Sequence, residues 1–127
     1  MSRSGPPRFA LLLLPAILLA SSARATDLKL VKSEVESGKA LLVDVREPQE
    51  WQKGHLKDAR SLPMSAFAQG KVDLGALPKD RPIYLHCSVG SRSRRVASFL
   101  KGKGFDARSL DEGYPQLKAA GFADGGR

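Results

Sequence analysis

Cysteine is almost missing from this chain: Cys87 stands alone among 127 residues. Exported proteins usually carry cysteines in pairs, as disulfides, and one thiol excludes an internal bridge. It also excludes a cysteine-based zinc site, and the two histidines, His55 and His86, supply no metal-ligand spacing. Aromatic residues make up 6% of the sequence. With so few of them and no recognised nucleic-acid motif, the net charge of +8 argues for small anionic ligands over nucleic acid. Internal repeats of about 20–50 residues are not visible. Long apolar runs are absent but for Phe9 to Ala20, and that run is shorter than the roughly 20 residues a helix needs to span hydrocarbon.

The single apolar run fits a secretory signal peptide over residues 1–25. Arg3 and Arg8 give a positive start, and Ala23-Arg24-Ala25 offers the small residues a signal peptidase reads. No cysteine adjoins the cleavage point, which excludes a lipoprotein anchor. No Arg-Arg pair precedes the run, which disfavours twin-arginine export. The expected location is the periplasm, or the medium if the source has no outer membrane. Residues 26–127 then form one domain of about a hundred residues, enough for one hydrophobic core.

Helical and extended patterns alternate through that domain. Asp27 to Ser37 reads as a helix capped by Thr26, with Leu28, Val31 and Val35 inward and Gly38 as the stop. Leu41 to Val43 reads as a buried strand ending at Asp44. Pro48 to Lys53 is a short helix closed by Gly54. Ala59 to Leu62 is a short strand, Ser65 to Gln69 a short helix, and Leu74 to Pro82 a turn-rich connection. Ile83 to His86 is a second buried strand. Ser93 to Lys103 is the strongest helix, with Val96, Phe99 and Leu100 as its core stripe. Ala107 to Leu110 and Pro115 to Ala120 complete the series, and Ala123 to Arg127 reads as a frayed tail. Such alternation predicts an α/β domain with a largely parallel sheet covered by helices on both faces.

Parallel sheets bind ligands at the carboxyl ends of their strands. Two polar clusters lie there, Asp44-Val45-Arg46 and Cys87-Ser88-Val89-Gly90-Ser91-Arg92. The second has the form strand, cysteine, small-residue loop, helix. A helix start presents unpaired N–H groups and a positive dipole end. A loop with Gly90 can turn successive N–H groups inward as an anion nest, which would favour the Cys87 thiolate. Arg92 would add a positive group, while Arg94 and Arg95 read as solvated surface. A lone cysteine is otherwise a common apolar filler. His86 neighbours Cys87, but adjacent strand residues face opposite ways, so both His86 and His55 read as structural. Arg46 and Glu50, four apart, are candidates to pair, and Asp44 to hold loop N–H groups. Both Asp44 and Arg46 then support the site without reacting.

These residues carry a resemblance. The segments LLVDVREPQEWQKGHL (41–56), IYLHCSVGSRS (83–93) and SLDEGYPQLKAAGF (109–122) resemble the single-domain rhodaneses, the thiosulfate sulfurtransferase family, and especially its small periplasmic members. The resemblance implies a rhodanese-like fold and makes Cys87 the nucleophile and sulfur carrier. It makes Ser88 to Arg92 the cradle for a persulfide and an anionic donor. It implies thiosulfate as donor, cyanide or a thiol as acceptor, and no metal or organic cofactor. The loop is C-x4-R, one residue shorter than the C-x5-R loops of phosphatase and arsenate-reductase relatives, which favours sulfur transfer. The family often has Gly-Gly and a Trp where this chain has Glu112-Gly113 and Leu117, and Gly where it has Asp58. Glu112 beside the pocket would weaken binding of a dianion. The competing readings are a non-catalytic rhodanese-like binding module, a small cysteine phosphatase or arsenate reductase, and a peroxide-sensing thiol.

Overall fold

The computed structural model describes residues 4–5 and 26–126. But for Ser4 and Gly5, the expected signal segment lies outside the described residues. The chain runs α1 (Leu28–Glu36), β1 (Leu41–Asp44), α2 (Pro48–Lys53), β2 (His55–Leu56), β3 (Ala59–Ser61) and α3 (Met64–Ala68). It continues through a 3-10 turn (Leu74–Ala76) to β4 (Ile83–His86), α4 (Ser91–Gly102), β5 (Ala107–Ser109), α5 (Tyr114–Ala119) and β6 (Asp124–Gly126).

Four strands pair in parallel in the order β3-β1-β4-β5. β1 and β4 occupy the centre, and their registers set Asp44 opposite His86. Both central strands are apolar because both faces are covered. Alternation along each strand then divides the core in two. Val43, Ile83, Leu85 and Cys87 pack with Val96, Ala97 and Leu100 of α4. Leu42 and Tyr84 pack on the other face with Val31, Val35 and Leu117. No helix among the described residues is long and apolar enough to cross a membrane.

Several local expectations need correction. Asp27, not Thr26, caps α1: its carboxylate accepts the N–H groups of Lys29 at 3.0 Å and Leu30 at 3.3 Å. α4 begins at Ser91, two residues earlier than the pattern predicts. Its buried stripe is Ser93, Val96, Ala97 and Leu100, a run of helical neighbours that leaves Phe99 on the flank. Phe99 is 42% exposed and meets Phe67 edge-on.

As far as Gly126, the last described residue, the tail is not frayed. Asp124–Gly126 pairs antiparallel with β2, and the Lys57 N–H donates to the Ala123 carbonyl at 2.9 Å. A Cβ on Gly125 would lie 2.8 Å from the His55 ring and 3.0 Å from the Lys57 backbone. Glycine at position 125 lets the two backbones come together.

Candidate active site

Cys87 follows the last residue of β4, on the α4 face of the sheet. Gly90 then turns the chain into α4 with φ of 91°, a left-handed conformation that suits glycine. Its N–H donates to the Cys87 Sγ at 3.1 Å. The Sγ lies 3.6 Å from the hydroxyl of Ser93, which is fully buried and also contacts the Ser109 hydroxyl at 2.7 Å. Burial pushes the thiol's pKa up. The N–H and hydroxyl of Ser93 and the N–H groups of Val89 and Gly90 outweigh it, and the net result is a lowered pKa. Hydrogen bonds to the charged form favour that form. An apolar filler would need none of these donors.

Cys87 itself is fully buried, whereas Val89 above it is 73% exposed. Ser91 is exposed at the first position of α4.

Arg92 does not stand free. One of its nitrogens meets Glu50 at 3.0 Å and the Ser88 hydroxyl at 3.1 Å. A second nitrogen takes the other Glu50 oxygen. Ser88 also donates to Glu50 at 3.2 Å, and the Glu47 N–H donates to it at 3.1 Å. These contacts, led by Arg92, hold the Glu50 carboxyl down from 4.5 to about 2. Glu50 was legible in the sequence only as a partner for Arg46, and that pairing does not form. Arg46 precedes the helix that begins at Pro48, so helical four-residue spacing does not apply to it.

Arg46 instead grips Asp44, at 3.0 Å through Nε and 2.7 Å through Nη2. It also donates to the Gly54 carbonyl at 2.8 Å and lies over the Tyr114 ring. Asp44 accepts the Arg46 backbone N–H at 2.9 Å. A Cβ on Gly54 would meet the Tyr114 ring at 2.8 Å, so glycine there lets the cluster close. His86 lies on this opposite face, fully buried, with Nδ1 at 3.3 Å from the Cys87 carbonyl and Nε2 at 3.7 Å from Asp44. Burial lowers its pKa despite Asp44, and its ring nitrogens face the Cys87 carbonyl and Asp44 rather than the thiol. His55 stacks on Trp51, ring centroids 3.8 Å apart.

Two residues that the sequence did not single out complete the frame. Ser93 orders the sulfur from within α4. Glu47 accepts from the Ser65 hydroxyl at 2.7 Å and so ties α2 to α3. The segment after β5 also packs on the loop: a Cβ on Gly113 would collide with the Ser88 carbonyl oxygen. Its neighbour Glu112 has one carboxylate oxygen buried without a partner. Leu117 is fully buried in the second core. Among the described residues, no group of three or more His, Cys, Asp or Glu side chains is placed to hold a metal.

A thiol whose charged form is favoured by backbone donors thus stands at a helix start, on the carboxyl edge of a parallel sheet. The chain matches the family model for the rhodanese-like domain over residues 27–120 and belongs to that family. It is 40% identical over 77 residues to the uncharacterized protein YqhL of Bacillus subtilis, a match spanning 59% of each chain. It is 36% identical to the thiosulfate sulfurtransferase GlpE of Pseudomonas savastanoi over 63% of this chain and 74% of that one. The rhodanese-related protein of Thermoplasma volcanium superposes with a TM-score of 0.65 at 21% identity, covering 80% of this chain and 96% of that one. The fold and the sulfurtransferase kinship follow from these matches.

Proposed function

We propose that this chain is an exported sulfurtransferase that moves sulfane sulfur through a persulfide on Cys87. The donor is thiosulfate or a related compound, and the acceptor is cyanide or a thiol. In the first half-reaction the Cys87 thiolate attacks the outer sulfur of the donor. A bond forms between the two sulfurs, the donor's sulfur–sulfur bond breaks, and sulfite leaves with the electron pair. In the second, the acceptor attacks the outer sulfur of the persulfide and the Cys87 thiolate returns.

The observation that carries this reading is the 3.1 Å N–H contact from Gly90 to Cys87 Sγ, joined in the charged form by the N–H and hydroxyl of Ser93. Such donors stabilise negative charge on sulfur, so a thiolate is available without a histidine partner. The loop Ser88, Val89, Gly90, Ser91 and Arg92 would hold the donor, with Asp44 and Arg46 as its scaffold. The names of the GlpE relatives support thiosulfate as donor. Export to the periplasm, with cleavage after residue 25, rests on the sequence pattern alone.

Intact mass after incubation with thiosulfate tests the proposal. The native chain is expected to gain one sulfur and to lose it to cyanide, and Cys87→Ser to gain nothing. No gain on a chain whose thiol still alkylates would exclude thiosulfate as donor.

A further inference from the structure

The cations that promise an anion site at Cys87 are already paired. Both guanidinium nitrogens of Arg92 that face the loop rest on Glu50, and the Ser88 hydroxyl rests on it too. Arg94 lies 3.3 Å from Asp111, whose side chain and backbone flank Gly90. Arg95 is turned elsewhere, lining a groove with Met64, Phe67 and Phe99. Glu112 lies between Asp111 and Gly113, the two residues that touch the loop, and brings a carboxylate oxygen with no partner. Around the sulfur, neutral N–H donors remain free to act, while Arg92, which also feels the Cys87 charge, and Arg94 each have a carboxylate of their own.

Glu50 thus takes the place on Arg92 and Ser88 that the oxygens of a sulfonate would take. A donor with two negative charges must displace that carboxylate or sit beside it, and Coulomb repulsion at this range is substantial in a half-buried site. A donor with one charge, carried on the sulfane sulfur, meets the N–H donors and avoids the conflict. We propose that Glu50 is a specificity-determining residue, a built-in competing anion. It selects singly charged sulfane-sulfur donors, the thiosulfonate and organic persulfide class, over doubly charged thiosulfate. This rests on the sulfur-transfer reading above and refines its donor.

The test compares thiosulfate with methanethiosulfonate, which carries one charge less on a similar frame, using cyanide as the common acceptor. The leaving groups are sulfite and methanesulfinate, each departing with the electron pair. The quantity read is the ratio of kcat/KM for the two donors, in the native chain and in Glu50→Gln. Glutamine keeps an oxygen for the Glu47 N–H and removes the charge. The ratio is expected to move about tenfold toward thiosulfate in the variant, through a lower KM for thiosulfate. An unmoved ratio, or one moved toward methanethiosulfonate, overturns the inference.

A second measurement needs no variant. Sulfate and methanesulfonate are compared as protectants of Cys87 against iodoacetamide in the native chain. Sulfate is expected to protect no better than methanesulfonate, and tenfold better protection by sulfate overturns the inference. If both donors load Cys87 and the ratio stays put, Glu50 has no selective role while sulfur transfer stands. If neither donor loads Cys87, both readings fall.

Discussion

The two central strands end in arginine–carboxylate pairs that look alike and differ in burial. After β1, Arg46 and Asp44 are 8% and 1% exposed. Arg46 also has the Gly54 carbonyl and the Tyr114 ring, so its contacts are filled by the protein itself. After β4, Arg92 and Glu50 are 25% and 35% exposed, and they border the thiol. A buried, closed pair holds the frame because opening it strands a charge. A half-exposed pair at the mouth is available to exchange its partner for a ligand. Identical chemistry thus closes on itself at one strand end and stays open to solvent beside the thiol at the other, where the proposed reaction would use it.

Asp44→Ala attacks the scaffold side. Removing one partner of a buried pair leaves Arg46 uncompensated, and a loss of about 3–5 kcal/mol in denaturant unfolding is expected. A loss below about 1 kcal/mol would mean that water reaches Arg46, and the contrast between the strand ends would collapse. Gly113→Ala attacks the other side without touching a charge. Its Cβ would displace the Ser88 carbonyl, and sulfur loading is expected to slow on the order of tenfold to a hundredfold. The thermal midpoint should fall far less than in Asp44→Ala. Equal losses of stability would erase the distinction.

Ser93→Ala sharpens the site further. One hydrogen bond to the sulfur is lost, about 1 kcal/mol, so the thiolate fraction near neutral pH should fall about fivefold. The pH profile of alkylation would report this as an upward shift. The same group links to stability with a definite sign. The folded chain releases the Cys87 proton at lower pH than an unfolded thiol, which titrates near ~8.5. Stability is therefore expected to rise with pH between the lowered folded value and ~8.5, and to lose that contribution as pH falls through the folded value. Cys87→Ser should lack this slope, and an identical slope in both chains would contradict the lowered pKa. The smallest effect is expected for Arg94→Ala. That pair is 59% and 83% exposed, and unfolding should change by less than about 0.5 kcal/mol.

Much of the domain was legible because its signals are local. Leu41–Asp44 and Ile83–His86 are apolar runs of strand length, and the loop that starts at Cys87 carries its own pattern. β2 and β6 were not legible. Two- and three-residue strands have no periodicity to read, and Gly125 signals freedom in sequence but close approach in space. The Arg92–Glu50 pair spans 42 positions, and no spacing rule reaches that far. Applying the helical rule to Arg46 assigned Glu50 to a residue lying before the helix starts. Ser93 was hidden for another reason: within α4 it reads as one polar position among several, and its burial is set by β5.

The placement of Cys87 immediately after the central strand gives the two ends of its loop different clocks. β4 is bonded on both sides, by β1 and β5, so its amides should exchange with solvent deuterium only as the whole domain opens. Val89, two residues on, has an exposed side chain, but its N–H is turned to the Cys87 sulfur, so its exchange should slow while the thiolate holds it. A pulse of deuterium read at Val89 as a function of pH would therefore follow the thiolate. The sulfur is thus anchored to a strand that opens last, and the amide beside it would report the charge it carries.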